Sequence, residues 1–103
     1  MSRTLRRIAT TMEPDHIISI LNLEFSALGF VNKSRPGEMM WKKGNGFITK
    51  ISKIYADFLP GEVVLSGCVL DNFGGEHGLE EFTAKILNKK VYEAFDIAEA
   101  RLK

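Results

Sequence analysis

The sequence has a single cysteine, Cys68, so no internal disulfide can form, and a reducing cytoplasm is the simplest compartment that fits it. It also lacks any apolar run near the roughly 18 to 20 residues of a membrane-spanning helix, because charged residues interrupt every hydrophobic stretch. No membrane span is expected. The start, Met1 to Thr11, is basic and mostly polar, without the apolar core of about seven residues that a secretory signal needs. It reads either as a weak transit peptide or as a frayed, partner-binding terminus. Internal repeats, low-complexity tracts and Ser/Pro-rich linkers are missing, and the turn-rich stretch from Asn32 to Gly37 is too short to separate two domains.

The common chemical signatures are missing as well. There is no Cys-x-x-Cys and no His-x-x-x-His, and the available donors, His16, Cys68, Asp71, Glu76 and His77, do not make a closed zinc site by local spacing. Glu76-His77 in a Gly-rich loop supplies two ligands at most. Cys68 falls mid-strand between Gly67 and Val69, which suits a buried or interface thiol better than a nucleophile activated by His16 or His77. Gly44-Asn45-Gly46 and Gly74-Gly75 have neither the Walker spacing nor a strand-to-helix Gly-x-Gly-x-x-Gly context, and read as a hairpin and a bend. Glu80-Glu81 are neighbours in sequence, not partners across a cleft, and read as a solvated face. The expectation is no enzyme, no catalytic residue, no metal and no cofactor.

What remains is an ordinary globular composition. With 103 residues, 45% hydrophobic and 26% charged, the chain can bury roughly two-thirds of its unfolded surface in one domain without staples. The expected organisation is a loosely ordered basic N-terminus over 1–12 and one domain over 13–103.

Pro14 suits a first helical position, and Glu13 and Asp15 suit the positive end of a helix dipole. Ile17, Ile18, Leu21, Phe25 and Leu28 follow at helical spacing. Gly29 can end this helix in the left-handed conformation, with Phe30 folded back near Phe25. Three β-rich segments follow: Glu38 to Lys43 with Met39 and Trp41 on one side, a strand within Phe47 to Leu59, and Glu62 to about Leu70 with Val63, Leu65, Gly67 and Val69 on one face. Asn45-Gly46 and Pro60-Gly61 are turn pairs. Val91, Ala94, Phe95, Ala98 and Leu102 form a final helical stripe with Asn88 as a plausible cap, and Glu80 to Lys85 is a helical turn or an irregular lead-in. The fold class predicted is α+β in the order α-β-β-β-α, a three-stranded antiparallel meander packed against two amphipathic helices. Val64, Ser66, Cys68 and Leu70 make the other side of the third strand semi-apolar, so either the helices straddle the sheet or a second copy covers it.

Formal charge is close to balanced at +1, yet it is divided. Residues 1–53 hold nine Lys or Arg against four Asp or Glu, and residues 54–103 hold five against nine. Such a split marks a basic nucleic-acid face, or two halves that pair within one fold or between two subunits.

The stretch from Trp41 through Lys42-Lys43-Gly44-Asn45-Gly46-Phe47-Ile48 to Thr49 resembles a small uncharacterised domain of bacterial proteins. The hairpin at Gly61, then Gly78-Leu79-Glu80-Glu81-Phe82, then Asn88-Lys89-Lys90 leading a final helix, follow in the same order. The resemblance covers roughly 41–102. It departs at Cys68, where a large aromatic is expected, and at Leu87, where proline is. It supports the fold reading and implies no activity.

The function expected from these residues is a cytoplasmic, non-catalytic protein-interaction or homodimerisation module, with Trp41, Tyr55, Val64, Ser66, Cys68 and Leu70 as the contact surface. The alternative is a weak nucleic-acid binder. It would use Lys42, Lys43, Lys50 and Lys53 beside Trp41 and Tyr55, with an arm of Arg3, Arg6 and Arg7.

Overall fold

The structure, a computed structural model, describes residues 3–44, 51–70, 75–78 and 89–103. The elements are β1 (Thr4–Ala9), α1 (Pro14–Ala27), β2 (Val31–Asn32), β3 (Met39–Lys43), β4 (Ser52–Leu59), β5 (Glu62–Leu70), β6 (Glu76–His77) and α2 (Lys89–Leu102). The strands form one six-stranded antiparallel sheet in the order β1-β5-β4-β3-β2, with β6 paired to β5. β1 takes Glu62 to Gly67 of β5 and β6 takes Val69 and Leu70, so they follow one another along one flank of that strand.

The α+β class and the β3-β4-β5 meander are as expected, but three strands become six and a strand precedes the first helix. β1 lies inside the segment read as a loose basic arm. Its alternation is masked because its positions toward the helices are Thr4, Arg6 and Ile8, and Ile8 alone is buried. β2 and β6 have two residues each, too short for a period to register.

Both helices among the described residues lie on the same face, and the other is called helix-free in that sense. Ile17, Ile20, Leu21 and Phe25 of α1 and the Val91, Ala94, Phe95, Ala98, Leu102 stripe of α2 share one core with Ile8, Trp41, Ile54, Ala56, Val63, Leu65 and Val69 of the sheet. A straddling arrangement is thereby excluded. The α1 stripe is rotated from the expected one, burying Ile20 where Ile18 is only half-buried.

Local signals act as their chemistry requires. At the end of α1 the Phe30 N–H donates to the Phe25 carbonyl at 2.9 Å and the Gly29 N–H to that of Ser26 at 3.0 Å. Gly29 sits at φ +94° and the Phe25 and Phe30 rings lie 6.1 Å apart, which completes a Schellman ending with its apolar contact. Leu59 and Glu62 are opposite one another across the Pro60-Gly61 turn, where proline presets one corner and Gly61 accepts φ +77° at the next. The Asn45-Gly46 turn, the Glu80 to Lys85 lead-in and the Asn88 cap fall outside the described residues.

Trp41 is fully buried, edge-on to Phe25 with ring centroids 5.1 Å apart. Its indole N–H donates to Asn22 Oδ1 at 2.9 Å, and Asn32 Nδ2 donates to the same oxygen at 2.9 Å. Asn22→Ala orphans a buried donor and should cost about 2 kcal/mol. The urea midpoint should fall with the m-value unchanged.

Candidate functional site

The side of the sheet turned away from the helices is set by strand parity. On β5 it carries Val64, Ser66, Cys68 and Leu70, on β4 Lys53, Tyr55, Asp57 and Leu59, and on β3 Met40 and Lys42. Five of the six expected interface residues therefore share a face. Trp41 does not: it faces the helices inside the core, one step out of phase with Met40 and Lys42.

Much of this face is closed by the protein's own side chains. Tyr55 stands opposite Met40 and Ser66, and its hydroxyl donates to Glu76 Oε2 at 3.3 Å, so the side chain crosses β5 to reach β6. Arg3 stacks on the Tyr55 ring with its guanidinium carbon 3.8 Å from the centroid. The same guanidinium holds Glu76 with two bonds, Nε to Oε1 at 2.8 Å and Nη2 to Oε2 at 3.1 Å. Met40, Tyr55 and Cys68 form a small second cluster with Leu70 packed on it. Cys68 is fully buried, and Ser66 and Val64 are nearly so. Of the expected contact residues on this face, only Leu70 keeps appreciable exposure. The larger exposed apolar groups are others: Leu5 at 58%, Val31 at 54% and Leu59 at 46% on the sheet, and Leu23 at 65% on α1.

These environments do not prepare a nucleophile. Burial, then the nearby charge of Glu76, pushes the Cys68 thiol up to about 11, so only about one molecule in ten thousand is thiolate at pH 7. Burial, then Glu76, likewise pushes Tyr55 up to about 12. The hydrogen bond from Arg3 holds the Glu76 carboxyl below its ordinary range. The registers place Cys68 beside Lys53 on one face and His77 beside Val69 on the other, and His16 is exposed in the first turn of α1. The three residues a Cys-His site would need are not assembled. Among the described residues no three His, Cys, Asp or Glu side chains are grouped to hold a metal ion.

The expected basic arm is engaged in ion pairs instead. Arg6 reaches Asp96 at 3.0 Å and Glu99 at 2.9 Å on α2, and Arg7 reaches Glu62 at 2.6 Å. Arg3 holds Glu76, and Arg101 bonds to Glu24 across the helix pair. The basic first half and acidic second half thus pair within one chain. Lys42 and Lys53 stand opposite one another on the helix-free face, Lys43 points to the helix side near Gly29, and Lys50 lies outside the described residues.

An open hollow of about 520 Å³ lies at the turn end of the sheet between Met12, Pro14, Ile17, Phe58, Leu59 and Pro60. Its one acidic side chain, Glu62, is tied to Arg7. Thr10 and Thr11 also line it, and the Thr10 hydroxyl oxygen already accepts the Met12 N–H at 3.2 Å.

No family model, curated protein or solved structure matches the chain. No helix among the described residues is long and apolar enough to cross a membrane.

The raised Cys68 and Tyr55 groups stay neutral in the fold while their unfolded counterparts ionise near 9.0 and 10.0. Their contribution to stability is complete below pH 9 and is lost as pH rises toward 12. The midpoint of thermal unfolding should decline across that window, and less steeply for Tyr55→Phe and Cys68→Ala. In the same native state near neutral pH, iodoacetamide should label Cys68 at least a hundredfold more slowly than in urea.

Proposed function

We propose that the protein is a non-catalytic interaction module that docks through the helix-free face of its sheet onto a second copy of itself. The observation that carries this reading is the packing of both helices on one side, which leaves Leu5, Val31 and Leu59 exposed on the other or along its margin. Antiparallel sheets with one solvated face alternate apolar with polar, and three large exposed aliphatic side chains on that face depart from the pattern. A reducing cytoplasm suits the neutral, buried Cys68.

The face is a better docking surface than the edge. β1 pairs on one side only among the described strands, which would invite strand addition. Two-fold pairing of β1 with itself sets residues of like parity opposite one another, so Arg6 meets Arg6, or Arg7 meets Arg7 or Arg3. Like charges directly opposed are unfavourable, and the edge is guarded.

The alternative, nucleic-acid binding, keeps Lys42 and Lys53 but loses the arginine arm, since Arg3, Arg6 and Arg7 each carry a carboxylate. Light scattering of the whole protein at high micromolar concentration should return twice the 11.6 kDa chain mass and keep most of it in 0.5 M salt, about the condition under which electrostatic binding collapses. Leu5→Asp should shift the mass toward one chain. A single-chain mass for the unaltered protein, or an oligonucleotide complex at low salt that dissolves steeply as salt rises, would reject the reading in favour of the alternative or of neither.

A further inference from the structure

From the charge pattern of the helix-free face we infer that two copies stack face to face with strands antiparallel, about a two-fold axis that follows the row Met40, Tyr55, Ser66 and Leu5. This rests on the reading of that face as a self-docking surface and goes further, by fixing the axis and the residues that specify it.

The row runs straight across the sheet, because Met40 is opposite Tyr55, Tyr55 opposite Ser66, and Ser66 opposite Leu5. It carries no formal charge. On one side of it, two residues along each strand, stand Lys42 on β3 and Lys53 on β4, themselves a cross-strand pair. On the other side, two residues away in the opposite direction, stand Asp57 on β4 and, just ahead of β3, Glu38, whose carboxylate already accepts a hydrogen bond from Arg35 at 2.8 Å, so Asp57 is the stronger determinant. Lys53 and Asp57 are therefore equidistant from Tyr55, and Lys42 and Glu38 from Met40. Each pair spans roughly 13 Å at the usual rise per residue.

An axis along the row reverses the strands while keeping β4 over β4 and β3 over β3. It brings Lys53 of each copy over Asp57 of the other, and Lys42 over Glu38, every contact occurring twice. An axis along the strands would instead keep the basic end over the basic end. Like charges would then face across the roughly 10 Å between stacked sheets. Charge thus selects one of the two face-to-face arrangements. At β1 the chosen axis sets Arg3 over Arg7, a like-charge contact made twice that works against the arrangement and that the carboxylates these arginines hold, Glu76 and Glu62, offset in part. At roughly 4.8 Å between strands and roughly 3.3 Å per residue, β1 to β5 at their own lengths give a face of roughly 500 Å² per copy. The pair buries roughly 1,000 Å², the size of a weak, reversible interface.

Charge reversal tests the arrangement. Lys53→Glu opposes two carboxylates to Asp57 at both symmetric contacts, and Asp57→Lys opposes two ammonium groups to Lys53. Each variant alone should weaken self-association about tenfold by analytical ultracentrifugation. Mixed in equal amounts, the two should recover the association of the unaltered protein, because both contacts in the mixed pair are again between opposite charges. A merely misfolded variant could not do this. The double variant K53D/D57K, which exchanges the two charges, should also pair with itself. If the unaltered protein associates while the single variants associate equally well, or while their mixture stays dissociated, the axis is wrong and the docking reading survives. If the unaltered protein is a single chain at the same concentration, the docking reading itself fails.

Discussion

β5 is buried at seven consecutive positions, Val63 to Val69, and both of its faces therefore need cover. One face is closed by the two helices through Val63, Leu65 and Val69. A strand with one helix layer would ordinarily leave its alternate residues to water. Here Val64, Ser66 and Cys68 are instead closed from water, Cys68 in a cluster with Met40 of β3 and Tyr55 of β4. Tyr55 must lean across β5 to do this, and it is held there by Glu76 and by the stacked guanidinium of Arg3. The carboxylate that anchors Tyr55 comes from β6 and the guanidinium from the residue before β1, the two strands that share β5's free flank. Burial on the second face of β5 thus depends on both short pieces of chain being present.

The same requirement explains the unequal charge of the two halves. Arg3, Arg6 and Arg7 meet Glu76, Asp96, Glu99 and Glu62, all from the second half of the chain. Exposed ion pairs of this kind contribute about 0.2 to 1 kcal/mol each, so they do not hold the domain together against the apolar core. Their value lies in register. β1 has one deeply buried side chain, Ile8, and the ion pairs on both of its faces distinguish the observed pairing from one slipped by a residue, which would send every arginine to the wrong side.

How much of this could be read in the sequence varies with how local the determinant is. The ending of α1 at Gly29 and Phe30, the Pro60-Gly61 turn and the α2 stripe were legible because each depends on residues within a few positions of one another. β1 was hidden because an arginine-rich edge strand looks like a basic tail unless its distant acidic partners are known. The site was legible in part. Parity alone places Tyr55, Val64, Ser66, Cys68 and Leu70 together, while Trp41, expected on the contact surface although its size also suits a core, stands one residue out of phase with Met40 and Lys42 and is buried against the helices. The cover that Arg3 and Glu76 provide joins positions 73 residues apart and leaves no periodic trace.

That cover also sets how strongly the face can associate. The core on the helix side is complete within one chain, with Trp41, Phe25, Phe95 and Leu65 fully enclosed, so folding does not wait for a second copy. What is left for a partner is the lid of Arg3 on Tyr55 and a scatter of aliphatic side chains at Leu5, Val31 and Leu59, each on a different strand. Such a surface is apolar enough to favour removal from water and too interrupted by charge to form a continuous dry core. Association through it must also overcome at least about 4 kcal/mol of lost translational and rotational freedom. For the proposed pairing, this balance implies a reversible contact whose partner is chosen by the arrangement of charge around the lid more than by the area buried beneath it.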